Sequence, residues 1–244
     1  MHLTKTNGGA FDNDAKACYD RIIANCTNIC AQRLGLPEKA CRVHATLLRE
    51  AKYRLKTMLG ISETSYTSSD EFPLYGPGQG GTGSAFIWAI VSAIILEIMK
   101  QEKRGVQFTN PTLERTIQRV MDAFVDDTTA WLNNFLKSLQ QNKTEKLEEL
   151  ATTLQDTAQA WEQLLYSTGG ALELSKCFYY IIAWKWNKEG RARLATPDDI
   201  APRISVTSSK TGNSVEIEMK DCREAHKTLG VMQNPACTHD AEYK

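Results

Sequence analysis

The twelve residues from Ala85 to Leu96 (AFIWAIVSAIIL) are apolar apart from Ser92, and they run into Glu97, Lys100, Glu102, Lys103 and Arg104. Such a run cannot face water along its length, so the chain must find something to bury it. A bilayer span needs roughly 20 apolar residues. We therefore read the run as a helix buried on most faces, with no membrane as partner. The rest of the chain can supply that core: 244 residues, 42% hydrophobic and 24% charged, are enough for one large domain or two small ones. The seven cysteines are scattered and the opening MHLTKTNGG has no secretory h-region. An intracellular protein with reduced thiols is expected, nucleus or cytoplasm undecided.

The 29 basic and 29 acidic side chains cancel, which at first sight excludes a protein that grips phosphates. The average hides a split. Residues 1–60 carry ten basic and five acidic groups, 61–172 eight and fourteen, and 173–244 eleven and ten. Neutrality is thus a sum over unlike regions and excludes little.

Periodicity orders the chain. Ile22, Ile23, Cys26, Ile29, Cys30 and Leu34 recur at helical steps up to Gly35. Pro37 opens a second helix whose stripe is Val43, Leu47, Leu48, Ala51, Leu55, Met58 and Leu59. A third has Leu147, Leu150, Ala151, Leu154, Ala158, Trp161 and Leu165 inward and stops at Gly169-Gly170. Between them, Val120–Leu132 places two β-prone runs around Asp126-Asp127, a hairpin with carboxylates at its tip. Further strands are expected at 171–174, 178–184, 204–207 and 215–219, the last after a Thr211-Gly212-Asn213 turn. Without a Rossmann glycine fingerprint, this mixture is α+β.

Asp14 sits where a strand hands over to a helix, and Asp126-Asp127 at a hairpin tip. Carboxylates converging on one sheet edge would repel unless cations lay between them. Taken singly, Asp14 as a helix cap and Asp-Asp as a turn are the better readings, and only their combination with the strings below reverses that. Zinc ligation by Cys222, His226, Cys237 and His239 has the right residue types but a poor Cys-x-His spacing. Cys26 and Cys30 share a helix face as packing residues. No nucleophile elbow is present, and the glycine-rich stretch from Gly76 to Gly83 lacks the Gly-Lys-Ser/Thr ending of a P-loop.

The acidic strings occur in an order that resembles the reverse transcriptases of non-LTR retroelements and group II introns. Asp14-Ala15-Lys16-Ala17-Cys18-Tyr19-Asp20-Arg21-Ile22 resembles their motif A, Gly76-Pro77-Gly78-Gln79-Gly80 motif B, and Phe124-Val125-Asp126-Asp127 motif C. Leu172 to Cys177 resembles the strand and lysine of motif D, and Thr228-Leu229-Gly230-Val231 the primer grip of motif E. The resemblance implies a polymerase palm over 1–232, a small antiparallel sheet packed on helices on one face, and a C-terminal tail at 233–244. It implies two Mg²⁺ (or Mn²⁺) ions on Asp14, Asp126 and Asp127, with the Ala15 carbonyl assisting. Lys176 would stand near the departing pyrophosphate. Tyr19 would be a steric gate under the sugar, Gln79 and Gly80 would meet the nucleotide, and Leu229 and Gly230 would hold the primer. The basic face with Arg42, Arg49, Lys52 and Lys56 could then track phosphates.

The implied activity is RNA-directed DNA synthesis from dNTP on an RNA template and DNA primer. The alternative is a palm remnant that binds nucleic acid or a partner without turnover. The match departs from the pattern at motif B, where Gly78 separates Pro77 from Gln79. It also begins at Asp14 and ends near Val231, so the family's fingers and thumb are expected to be lost or supplied by another chain. Tyr19 disfavours an RNA product, and a cyclase would have no primer to grip.

Overall fold

Gly8–Asp14 (β1) alternates its side chains between two faces, as a strand covered differently on each side must. It lies at the centre of a five-stranded sheet with Met121–Phe124 (β2), Asp127–Asn133 (β3), Phe178–Ile182 (β4) and Glu218–Met219 (β5), in the order β5-β4-β1-β3-β2. This computed structural model describes residues 7–16, 18–67, 76–78, 81–102, 104–109, 112, 114–125, 127–133, 143–228 and 231–238. The helices are Cys18–Arg21 (α1), Ala24–Arg33 (α2), Glu38–Glu50 (α3), Ser84–Gln101 (α4) and Lys143–Ser167 (α5). The class is α+β, as expected.

The contacts gather into two compact units. One comprises Met1–Asp14, Met99–Glu162 and Leu172–Lys244, and the other Ala15–Ile98 and Gln163–Ala171. The first holds the sheet. Its four long strands follow the spatial order 4-1-3-2, and helices fall in the connections from β1 to β2 and from β3 to β4, the split βαβ arrangement. The pairs β1–β4, β1–β3 and β2–β3 are antiparallel, but β5 joins β4 in parallel, so the sheet is mixed at that edge.

One face of β1 is sealed by α5. A Cβ on Gly9 would touch Leu154 at 3.4 Å, Phe11 is fully buried, and Trp161 reaches Asn13. The expected stripe on α5 is the buried one: Leu150, Leu154, Ala158, Trp161 and Leu165 have no exposed surface. The polar flank of α5 is also engaged. Gln155 and Gln159 accept from the backbone N–H groups of Ser205 and Thr207 at 3.0 and 2.8 Å, and Glu162 accepts from Ser209 N at 2.8 Å. Those side chains satisfy donors that an edge strand would otherwise leave open. Helix α5 ends as its glycines demand. Gly169 has φ +93°, and the N–H groups of Gly169 and Gly170 donate to Tyr166 O and Leu165 O at 2.9 and 3.0 Å, a Schellman closure.

The second unit departs from the expected pattern. The helix opened by Pro37 stops at Glu50 instead of continuing to Leu59, because residues beyond Ala51 take hairpin chemistry. Lys52–Tyr53 pairs with Tyr66–Thr67, with the two tyrosine rings stacked at 5.4 Å, and Lys56–Thr57 pairs with Gly60–Ile61. Gly60 at φ +130° cannot belong to a helix. The expected stripe is consequently open: Val43, Leu47, Leu55, Met58 and Leu59 are exposed. In α2 the buried residues are Thr27, Cys30 and Ala31, while Ile29 and Leu34 face outward.

Helix α4 is long and apolar enough to cross a membrane by length and composition, and 39% of that window is buried. Ile87, Trp88, Ile90, Val91, Ile95 and Met99 are buried, whereas Phe86 is exposed. It is therefore covered along one broad face, not on most faces. The strand expected at 171–174 shrinks to a single β-bridge at Leu172. Leu174–Lys176 is a 3-10 turn in its place, so Lys176 stands before β4 and not at a strand's end.

Candidate active site

Alternation decides what the open face of the sheet displays. On β1 the residues facing away from α5 are Ala10, Asp12 and Asp14; on β3 they are Asp127, Thr129 and Trp131. The intervening Thr128, Ala130 and Leu132 are buried. The register sets Asp14 directly opposite Asp127 and Asp12 opposite Thr129. Two carboxylates at directly paired positions have Cβ atoms about 5 Å apart, so strand pairing alone brings Asp14 and Asp127 together.

The tip itself is strained. Phe124 pairs with Asp127, leaving a two-residue connection, and Val125 takes φ +57° in it. Two-residue hairpin turns need left-handed backbone, usually supplied by Asn or Gly; a β-branched residue there costs about 1–2 kcal/mol. Asp126 lies outside the described residues, as do Gln79, Gly80, Leu229 and Gly230.

Lys176 joins the carboxylates. Its Nζ donates to Asp14 Oδ2 at 2.7 Å, and Glu173 N donates to Asp14 O at 3.0 Å, which docks the 3-10 turn on the end of β1. Both side chains keep contact with solvent, 66% and 23% exposed, so the pair contributes little to stability. Behind them Asp12 is held by Thr129 Oγ1, which donates to its Oδ1 at 2.7 Å. Burial pushes the Asp12 carboxyl up to about 6; the Thr129 bond pulls against this, repulsion from Asp127 adds to it, and Lys220 opposes it.

These groups line one cleft of about 1080 Å³ with Phe124, Trp131, Phe178 and Lys220. On its far wall the Lys220 ammonium sits 4.2 Å from the Phe178 ring centroid and its Nζ is 3.3 Å from His226 Nδ1. Burial, then the Lys220 charge, holds the His226 pKa below its usual value. The expected tail at 233–244 contributes too: Gln233 and Asn234 line the cleft, and Ala236 N donates to Cys222 O at 2.9 Å.

A buried polar residue lies just ahead of the motif A string. Asn13, 5% exposed, accepts from Thr128 Oγ1 at 2.5 Å and from Trp161 Nε1 at 2.8 Å, and its Nδ2 donates to Thr128 O at 3.1 Å. It pins β1 to β3 and to α5 between Asp12 and Asp14. Strand alternation puts Asp12 and Asp14 on one face and turns Asn13 inward, but the partners of Asn13 are distant in sequence and leave no local signal.

Tyr19, Arg42, Arg49, Lys52 and Lys56 belong to the second unit and are described within it. Tyr19 is half-buried on α1, and Gly76 packs against its carbonyl so closely that a Cβ would lie 1.7 Å from Tyr19 O. This close approach requires glycine at the first position of the Gly76-Pro77-Gly78 string. Arg42 pairs with Glu38 at 2.6 Å; Arg49, Lys52 and Lys56 are exposed, on α3 and on the two short hairpins that follow it. They do not form the single continuous helix face expected.

Among the described residues no group of three His, Cys, Asp or Glu side chains is placed to hold a metal ion. Asp14 and Asp127 supply two hard oxygen donors side by side, which suits Mg²⁺ or Mn²⁺. Cys222 is buried, directs its thiol to Ile181 O at 3.4 Å and is pushed up to about 12 by burial, which makes it a poor zinc ligand.

No family model and no curated protein matches the sequence. Among solved structures the chain is similar to telomerase from Candida tropicalis in complex with a TWJ fragment of telomeric RNA, at 13% identity over 72% of this chain and 26% of that one, TM-score 0.45. It is similar to apo telomerase from the same organism truncated from the C-terminal domain, at 13% identity over 86% of this chain and 36% of that one, TM-score 0.48. The apo telomerase structure matches at 14% identity over 75% and 29%, TM-score 0.42. The chain thus spans 26–36% of the telomerase chains it matches.

Proposed function

We propose that this chain carries the palm of an RNA-directed DNA polymerase, with Asp14, Asp126 and Asp127 as its acidic centre. The observation that carries the reading is the pairing of Asp14 with Asp127 on neighbouring strands of a 4-1-3-2 sheet, with Lys176 bonded to Asp14. A central strand ending in one aspartate beside a hairpin tip bearing two is the placement that the motif A and motif C resemblances imply. Asp14 and Asp127, with Asp126, would hold two divalent ions, which when bound supply charge neutralisation for the triphosphate and acidify the primer hydroxyl.

The chain's own groups would do the rest. Asp14 and Asp127 fix the geometry of the centre because their strands are hydrogen-bonded to one another. Lys176, exposed in the cleft, would offer its ammonium to the leaving pyrophosphate. Tyr19 as steric gate, Gln79 and Gly80 as nucleotide contacts and Leu229 and Gly230 as primer grip complete the proposal, with RNA template, DNA primer and dNTP as partners. The Lys176–Asp14 pair favours a second reading as well. A lysine that already neutralises Asp14 offsets its repulsion with Asp127 without a metal ion, as a non-catalytic, nucleic-acid-binding remnant would need.

Primer extension on an RNA template with Mg²⁺ or Mn²⁺ separates them. We expect extension by the wild type and a loss of at least about 100-fold in Asp14→Asn and Asp126→Asn, the scale of removing charge stabilisation from a transition state. Equal extension by all three refutes the catalytic assignment. No extension by a wild type that still binds the hybrid selects the remnant.

A further inference from the structure

The antiparallel ribbon of Trp184–Trp186 and Ala192–Leu194 lies outside the carboxylate cleft. Its register pairs Trp184 with Leu194, Lys185 with Arg193 and Trp186 with Ala192. Alternation therefore sorts Trp184, Trp186, Ala192 and Leu194 onto one face, and Lys185, Arg193 and Arg191 onto the other. Leu194 packs against the buried cluster of Ala10, Tyr180 and Ile182, which turns the basic face outward. Lys185 and Arg193 are 49% and 56% exposed, and Lys188 and Arg191 are exposed as well. Residues 184–194 carry four basic groups and one acidic.

This face is ordered, unlike an ordinary solvated charge run. The Asp199 carboxylate accepts from Lys185 Nζ at 2.7 Å, from Arg193 Nη1 at 2.6 Å and from Thr196 N at 2.9 Å. One anion holds two cations and leaves a net positive charge. The turn is closed by Asn187 N donating to Arg191 O at 3.0 Å and by Arg191 N donating to Asn187 Oδ1 at 2.7 Å. Arg223, paired with Asp221, adds an exposed cation whose repulsion reaches Arg193. Holding side chains in place beforehand reduces the ordering cost that binding must overcome.

We infer that this basic ribbon face is a contact surface for the phosphodiester backbone of nucleic acid, with Lys188, Arg191 and Arg193 meeting phosphates along one strand. Arg191 and Arg193 are two strand residues apart, about 6.6 Å, close to two nucleotide steps of about 3.4 Å. The contact carries no base specificity. Only the identity of the nucleic acid, an RNA–DNA hybrid, rests on the polymerase reading.

The test is fluorescence anisotropy of a labelled RNA–DNA hybrid with the full chain across a salt series. We expect the double variant Lys188→Glu/Arg191→Glu, whose side chains lie outside the Asp199 network, to bind more weakly. The slope of log affinity against log salt should fall by about two, roughly one per cation removed. Circular dichroism checks that the variant is folded, and Lys188→Gln/Arg191→Gln serves as a milder second variant. Unchanged affinity and slope in both variants overturn the inference, as does a wild type that binds anionic lipid vesicles but no nucleic acid, or neither. Weakened binding by the double variant in a chain that never extends a primer leaves the inference standing and removes the polymerase reading. Normal extension with unaltered binding does the reverse.

Discussion

Asn13→Ala tests whether the acidic edge is held in place from beneath. Asn13 is the acceptor for two buried donors, Trp161 Nε1–H at 2.8 Å and the Thr128 hydroxyl at 2.5 Å. Removing it strands both in a region where Trp161 has no exposed surface and Thr128 is 3% exposed. A buried donor left without an acceptor costs about 1–3 kcal/mol, so the variant should lose about 3–5 kcal/mol once the small void is included. Urea unfolding followed by tryptophan fluorescence and by circular dichroism measures this. Trp161→Phe removes one of the stranded donors, so Asn13→Ala/Trp161→Phe should cost less than the sum of the single changes, with a coupling of about 1–2 kcal/mol. A loss below about 1 kcal/mol for Asn13→Ala, or strict additivity in the pair, would refute the reasoning.

Two further outcomes concern the hairpin turn and the cleft. Val125→Gly relieves a left-handed β-branched residue and should stabilise the hairpin, raising the urea midpoint by the equivalent of about 1 kcal/mol; a lowered midpoint contradicts the strained turn. His226 has a folded pKa held below its unfolded value near 6.5. Its contribution is therefore fully present above that pH and lost as pH falls, because the unfolded chain takes up the proton first. The wild type should lose stability relative to His226→Phe between about pH 7 and pH 5 in paired urea titrations; parallel curves would show that the imidazole is not shielded.

Much of the first unit was legible because its signals are local. The strand that ends at Asp14, the hairpin between Val120 and Leu132 and the stripe of α5 all depend on neighbours within a few residues. The helix projected from Pro37 to Leu59 failed where local signals conflict. Apolar residues at helical steps continue past Glu50, but the Thr57 hydroxyl accepts from Leu59 N at 3.1 Å and Gly60 turns left-handed, closing a hairpin there. Lys176 was placed near the site by resemblance, yet on the wrong element, because a three-residue 3-10 turn has no periodicity to read.

Burial of the Ala85–Leu96 run was dictated by composition, but tertiary structure decided that only one broad face of its helix is covered. The sequence alone established an α+β chain with Asp14 at a strand end and Asp127 beside a hairpin tip, since alternation and turn chemistry act over short range. Only the tertiary structure decided that Asp14 stands in register with Asp127, that Asn13 locks their two strands together, and that Lys176 bonds Asp14. Those contacts join residues more than a hundred positions apart, and strand register and sheet order choose such partners, not any property of the residues between them.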